Sequence, residues 1–148
     1  MKLIGAKDYT VENHANQTTL NFTKEGVEGV TFSIVTRAYD DGIAFKYQIT
    51  AENEDTPITI SSENTTLQIP QGSTAYVMPY INHNEQVEEE KQLSELDERY
   101  CMPLLYKTPT GEYALISEAG LHDEYCGADI IGNPNGRLDI VFSNEQKS

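Results

Sequence analysis

Apolar and polar residues alternate along much of this chain. Val30, Phe32 and Ile34 are spaced by Thr31 and Ser33, and further on Ile43, Phe45, Tyr47 and Ile49 are spaced by Ala44, Lys46 and Gln48. A period of two sends alternate side chains to opposite faces of a strand. Between the two runs lies Arg37-Ala-Tyr-Asp-Asp-Gly42, and its Asp-Gly pair is a turn signal, so residues 30–50 are predicted to form a β-hairpin. Further short strands are predicted at Thr18–Phe22, Ile58–Ser61, Thr65–Ile69, Ala75–Met78, Leu104–Lys107, Tyr113–Ser117 and Leu138–Phe142. Turn chemistry separates them, as in Pro70-Gln-Gly72, Pro109-Thr-Gly111 and Gly132-Asn-Pro-Asn-Gly136. Many short strands at regular spacing predict an all-β, antiparallel sandwich, with residues 1–148 as a single domain.

One segment departs from the pattern. Asn84–Tyr100, NEQVEEEKQLSELDERY, is strongly acidic and lacks strand alternation. Val87, Leu93 and Leu96 form a thin apolar stripe at helical spacing, so the segment reads as a solvated short helix or a long loop. It has no central Gly among ordered Asp and Asn ligands, as an EF-hand calcium loop requires.

Composition narrows the function classes. The 148 residues suffice to bury a core, and they carry 10 Lys and Arg against 24 Asp and Glu, a formal charge of −14. Such a surface repels phosphate backbones and anionic lipid, which argues against nucleic-acid and membrane partners. No apolar run approaches the roughly 20 residues of a spanning helix. The opening MKLIGAKDYT lacks the apolar core of a secretory signal, so the chain reads either as cytosolic or as an excised mature segment. Cys101 and Cys126 make no CxxC and have no His at ligand spacing, which argues against zinc. Two reduced core thiols are expected rather than a disulfide between them. Asn16, Asn21 and Asn64 each begin a glycosylation sequon, a pattern too short to decide anything.

Catalytic chemistry is sparse. His14, His83 and His122 are scattered, and no GxSxG, Walker loop or HExxH occurs. Cys126 near His122 reads as a packed thiol rather than a dyad, and Asp40 and Asp41 read as turn formers. Glu118 stands apart. It follows a strand, between Ser117 and Ala119 and just before Gly120, so small neighbours leave its carboxylate approachable. A hard cation such as Ca²⁺ takes about 6–8 oxygen ligands and accepts carboxylates, but one glutamate cannot complete that shell. The plainer reading is a carboxylate that ends a strand in solvent.

Four stretches together resemble a known family. RAYDDGIAFKYQI (Arg37–Ile49), SSENTTLQIP (Ser61–Pro70), PLLY (Pro103–Tyr106) and GEYALISEAGL (Gly111–Leu121) occur in the order seen in the N-terminal domain of glycoside hydrolase family 97. The resemblance implies a β-super-sandwich related to the galactose mutarotase fold, followed in the same polypeptide by a catalytic (β/α)₈ barrel and a small C-terminal β-domain. It implies a secreted or periplasmic bacterial α-glucosidase or α-galactosidase that uses calcium and acts on an oligosaccharide. The catalytic carboxylates belong to the barrel, so none is expected in this chain. Glu118, within Ser117-Glu118-Ala119, matches the glutamate that such domains lend to the calcium. An exposed apolar or Tyr-rich patch near Glu118, for the barrel to cover, is expected with it. Arg37 is expected to pair with Asp40 or Asp41, and Glu63 and Asn64 to serve a turn. The alternative is a free-standing carbohydrate-binding module, which 9 Tyr permit and the absence of Trp disfavours. A complete mutarotase-like enzyme would need a His base and a partner Glu, and the chain is short for it.

Overall fold

Strand contacts divide the chain into two units, Met1–Thr59 and Ile60–Ser148. The computed structural model describes residues 12–53, 58–60, 62–81, 87–121 and 127–142. All pairing among them is antiparallel, and no α-helix is present among the described residues, so the class is all-β as the alternation predicts.

The first unit is a meander of β1 (Asn16–Phe22), β2 (Val30–Ala38) and β3 (Ile43–Ala51), in that order across the sheet. Leu20 lies opposite Ile34 and Ile34 opposite Tyr47, while Phe22 faces Phe32 and Phe32 faces Ile49. In this register every predicted apolar position falls on one face, and Gln17, Ser33, Arg37, Lys46 and Gln48 fall on the other. The β2–β3 turn is closed by Tyr39 N–H donating to Gly42 C=O at 2.8 Å. Asp40 and Asp41 are exposed in that turn, the role expected of them. Arg37 takes a different partner. Its Nε donates to Gln17 Oε1 at 2.9 Å, because Gln17 lies directly across from it on the same face while the two aspartates sit beyond the strand end.

The second unit is a seven-stranded sheet built from β4 (Thr66–Gln68), β5 (Thr74–Pro79), β6 (Glu89–Gln92), β7 (Arg99–Lys107), β8 (Tyr113–Ile116), β9 (Ala128–Gly132) and β10 (Arg137–Phe142). The order is β4-β10-β9-β7-β5-β6, with β8 also paired to β7. One face carries the core, in which Tyr100, Leu96, Leu104, Ile130, Leu138 and Val77 are fully buried. Burial of side chains of this size contributes about 1.5–3 kcal/mol each for the aliphatic members.

Four elements differ from the alternation reading. Ile58–Ile60 has no strand; Ile58 and Ile60 are exposed, and Ser61 lies outside the described residues. β6 is an acidic strand that propensity disfavours, and pairing with β5 holds it; its charged side chains also blunt a sheet edge. β7 begins at Arg99 rather than Leu104, since Pro103 hides the continuity of the run. β9 is an additional strand. Among the described residues the acidic excursion contains one 3₁₀ turn, Leu93–Glu95, whose Leu93 and the following Leu96 are buried in the core while Val87 is 80% exposed.

Gly132 is required by packing. A Cβ added there would lie 2.8 Å from Leu96 Cβ and 3.0 Å from the Tyr100 ring. Gly132→Ala is therefore expected to lower the stability of the second unit by about 1–3 kcal/mol, and Leu104→Ala by about 2–5 kcal/mol, in urea unfolding. Wild-type midpoints for both would contradict this core.

Candidate functional site

β7 has two neighbours along one edge. Its first part pairs with β9 through Arg99–Ile131, Tyr100–Ile130 and Cys101–Asp129, and its last part pairs with β8 through Leu104–Ile116 to Lys107–Tyr113. At the seam stands Pro103, which has no N–H to offer either strand. The chain leaves β8 at Ile116 and re-enters the sheet at Ala128.

Glu118 closes this seam. Its Oε2 accepts the backbone N–H of Ala128 at 2.8 Å, so the carboxylate ties the exit of β8 to the first residue of β9. Ala128 is buried, and without Glu118 its N–H would lose that acceptor. Gly127 precedes the donor residue; a Cβ there would meet Oε2 at 3.7 Å, an ordinary contact, so the tie does not depend on glycine at this position. Glu118 is half-buried, and among the described residues its second oxygen has no hydrogen-bond partner. Neither simple alternative holds: the side chain is neither free in solvent nor turned into the core.

The β9 end of the tie is held from the opposite face. Asp129 accepts from Arg99 Nε at 3.0 Å and also from its NH2 group, and the guanidinium lies 4.2 Å above the Tyr80 ring. Cys101 packs beside this pair, and burial pushes its thiol pKa up, with Asp129 adding to the shift. The β8 end is held by its turn. Glu112 accepts hydroxyl hydrogen bonds from Thr108, at 2.5 Å, and from Thr110. These bonds hold its carboxyl at about 2, below the ordinary 4.5.

No group of three or more metal-ligating side chains occurs among the described residues. His83, His122 and Cys126 lie outside them. Glu63 accepts the Thr65 hydroxyl at 2.8 Å and Asn64 contacts Ser62, local contacts in the irregular segment before β4. Close to Glu118 in sequence, Tyr113, Leu115 and Leu121 are 58%, 62% and 49% exposed. The Glu118–Ala128 tie and the Arg99–Asp129–Tyr80 cluster escape sequence reasoning, because both join residues ten or more apart across a seam that no local pattern marks.

The sequence model of the family described as Glycosyl-hydrolase 97 N-terminal matches residues 1–147. A curated protein named "Probable retaining alpha-galactosidase", from Streptomyces bingchenggensis (strain BCW-1), is 28% identical over 127 residues. The match takes in 83% of this chain and 19% of that protein, so the chain spans about a fifth of its relative's length. No solved structure matches the chain.

Two outcomes are expected at this seam. Glu118→Ala leaves the buried Ala128 N–H without its acceptor and should cost about 1–3 kcal/mol, while Glu118→Gln, which keeps an acceptor oxygen, should recover most of it. Equal losses in the two variants would contradict the tie. Glu112, whose pKa is depressed in the fold, stabilises the β7–β8 turn fully above its ordinary 4.5 and loses that contribution as pH falls through about 2. The stability difference between wild type and Glu112→Gln should hence be constant above pH 4.5 and shrink toward pH 2 in thermal melts; a difference independent of pH would contradict the Thr108 and Thr110 bonds.

Proposed function

The chain belongs to the glycosyl-hydrolase 97 N-terminal family, and from that premise we propose that it is a non-catalytic part of a glycoside hydrolase acting on α-linked galactosides or glucosides. In this reading it forms part of the active-site wall and contributes Glu118 to a calcium site completed by the barrel domain of the same polypeptide. The galactoside preference draws on the name of the Streptomyces relative. A secreted or periplasmic location goes with the same reading.

The observation that carries the proposal is the half-engaged carboxylate of Glu118. Ala128 N–H fixes one oxygen and thereby sets the direction of the other. A carboxylate oriented by a backbone donor suits a hard cation, whose other oxygen ligands, out of about 6–8, must come from elsewhere. When bound, calcium would supply positive charge that orients the sugar and stabilises negative charge developing at the glycosidic oxygen. Glu118 contributes position: with its own hydrogen bond made in advance, little side-chain entropy remains to be lost on binding. Exposed Leu115 and Leu121, each three residues from it in sequence, suit burial against a neighbouring domain.

The chain alone should not hydrolyse nitrophenyl α-galactoside or α-glucoside with calcium present. In the longer polypeptide that includes the barrel, Glu118→Gln should weaken calcium binding roughly tenfold or more, read by calorimetric titration of the metal as well as by turnover. Turnover or saccharide binding by the 148-residue chain alone, or unchanged calcium affinity in the variant, would overturn the proposal.

A further inference from the structure

Taking Glu118 as a calcium ligand, the reading on which this rests, we infer that Arg99 and Asp129 are its positioning residues. They set how tightly the site holds its ion without touching it. The path is short. β7 pairs with β9 at Arg99–Ile131, Tyr100–Ile130 and Cys101–Asp129, and there the pairing stops. Ala128, whose N–H aims Glu118, lies one residue past that last pair, with only Phe142 of β10 opposite it in the sheet. A strand end released by one neighbour frays unless something anchors it. Asp129 is the last residue of β9 that β7 holds, and its carboxylate accepts both Nε and the NH2 group of Arg99.

The anchor is itself fixed. The guanidinium lies 4.2 Å above the Tyr80 ring, and Tyr80 N–H donates to Arg99 C=O at 2.8 Å, so one residue holds Arg99 by side chain and backbone. A planar fork on a carboxylate fixes angle as well as distance, which a point charge does not. The side chains of the pair are 27% and 15% exposed, so water screens their attraction only in part. Charge and position then act on the ion with opposite signs. As a charge, Arg99 repels a bound cation, and removing it would tighten binding. As an anchor, it keeps the Ala128 donor in place, and removing it loosens Glu118. Apparent affinity falls with the fraction of molecules in which the ligand is correctly aimed. Direct partners of metal ligands typically contribute about 10–100-fold, and this pair acts one step further out, so about three- to tenfold is expected.

Two measurements test this. In a polypeptide joining this chain to the proposed barrel domain, calorimetric titration with calcium should show Arg99→Gln and Asp129→Asn each weakening binding about three- to tenfold. The double variant should bind no more weakly than either alone, because both changes break one contact. In the 148-residue chain without metal, the same variants should speed hydrogen exchange at the Ala128 amide, read by NMR, about tenfold more than at Leu105 in mid-β7. Calcium affinity unchanged or raised in Arg99→Gln, while Glu118→Gln lowers it, would overturn this inference alone. Glu118→Gln without effect would overturn the reading of Glu118 and this inference with it. Equal acceleration at Ala128 and Leu105 would mean that the pair serves stability only, and would overturn it too.

Discussion

The hydrogen bond from Ala128 N–H to Glu118 Oε2 decides how much of the second unit is arranged. β8 and β9 share one edge of β7 in succession, and Pro103 at their boundary has no N–H to donate to either. Without a tie, the exit of β8 and the entry of β9 would be two loose ends. With it, a buried backbone donor is satisfied and a carboxylate is fixed at the sheet's margin in one step. One carboxylate oxygen is spent on the backbone, and the proposed function assigns the other to a metal.

The surroundings keep that arrangement stiff. The double contact of Arg99 with Asp129 immobilises the residue next to Ala128, and the Tyr80 ring confines the guanidinium from its flat side. At the other end, the Thr108–Thr110–Glu112 turn fixes where β8 begins. Strand register carries these constraints to Glu118, because a slip of one residue would reverse the faces of β8 and turn Leu115 inward. The apolar positions of the core, from Val77 to Leu138, oppose such a slip.

Much of the fold was legible in the sequence. The Asp-Gly turn between two alternating runs marks β2 and β3, and Tyr113–Ser117 and Leu138–Phe142 read correctly because one face of each is apolar. β6 was not legible, since Glu-Glu-Lys-Gln has no strand propensity and pairs only because β5 offers an edge. The first half of β7 was hidden by its proline. Leu93 and Leu96 looked like a thin helical stripe, yet they fill the core from a single 3₁₀ turn. Glu118 was singled out through family resemblance, whereas its hydrogen bond to Ala128 could not be read from the sequence. That contact depends on where β9 starts, and β9 is visible only once the sheet is assembled. Arg37 shows the same limit: the aspartates near it in sequence lose to Gln17, its neighbour across the sheet.

The measurement that bears most directly on the proposed role of Glu118 is a crystal structure, with calcium bound, of a polypeptide joining this chain to the proposed barrel domain. The account predicts the ion about 2.3–2.6 Å from the second Glu118 oxygen, with the Ala128 hydrogen bond kept. An ion bound without Glu118, or a Glu118 side chain turned away from the neighbouring domain, would contradict it.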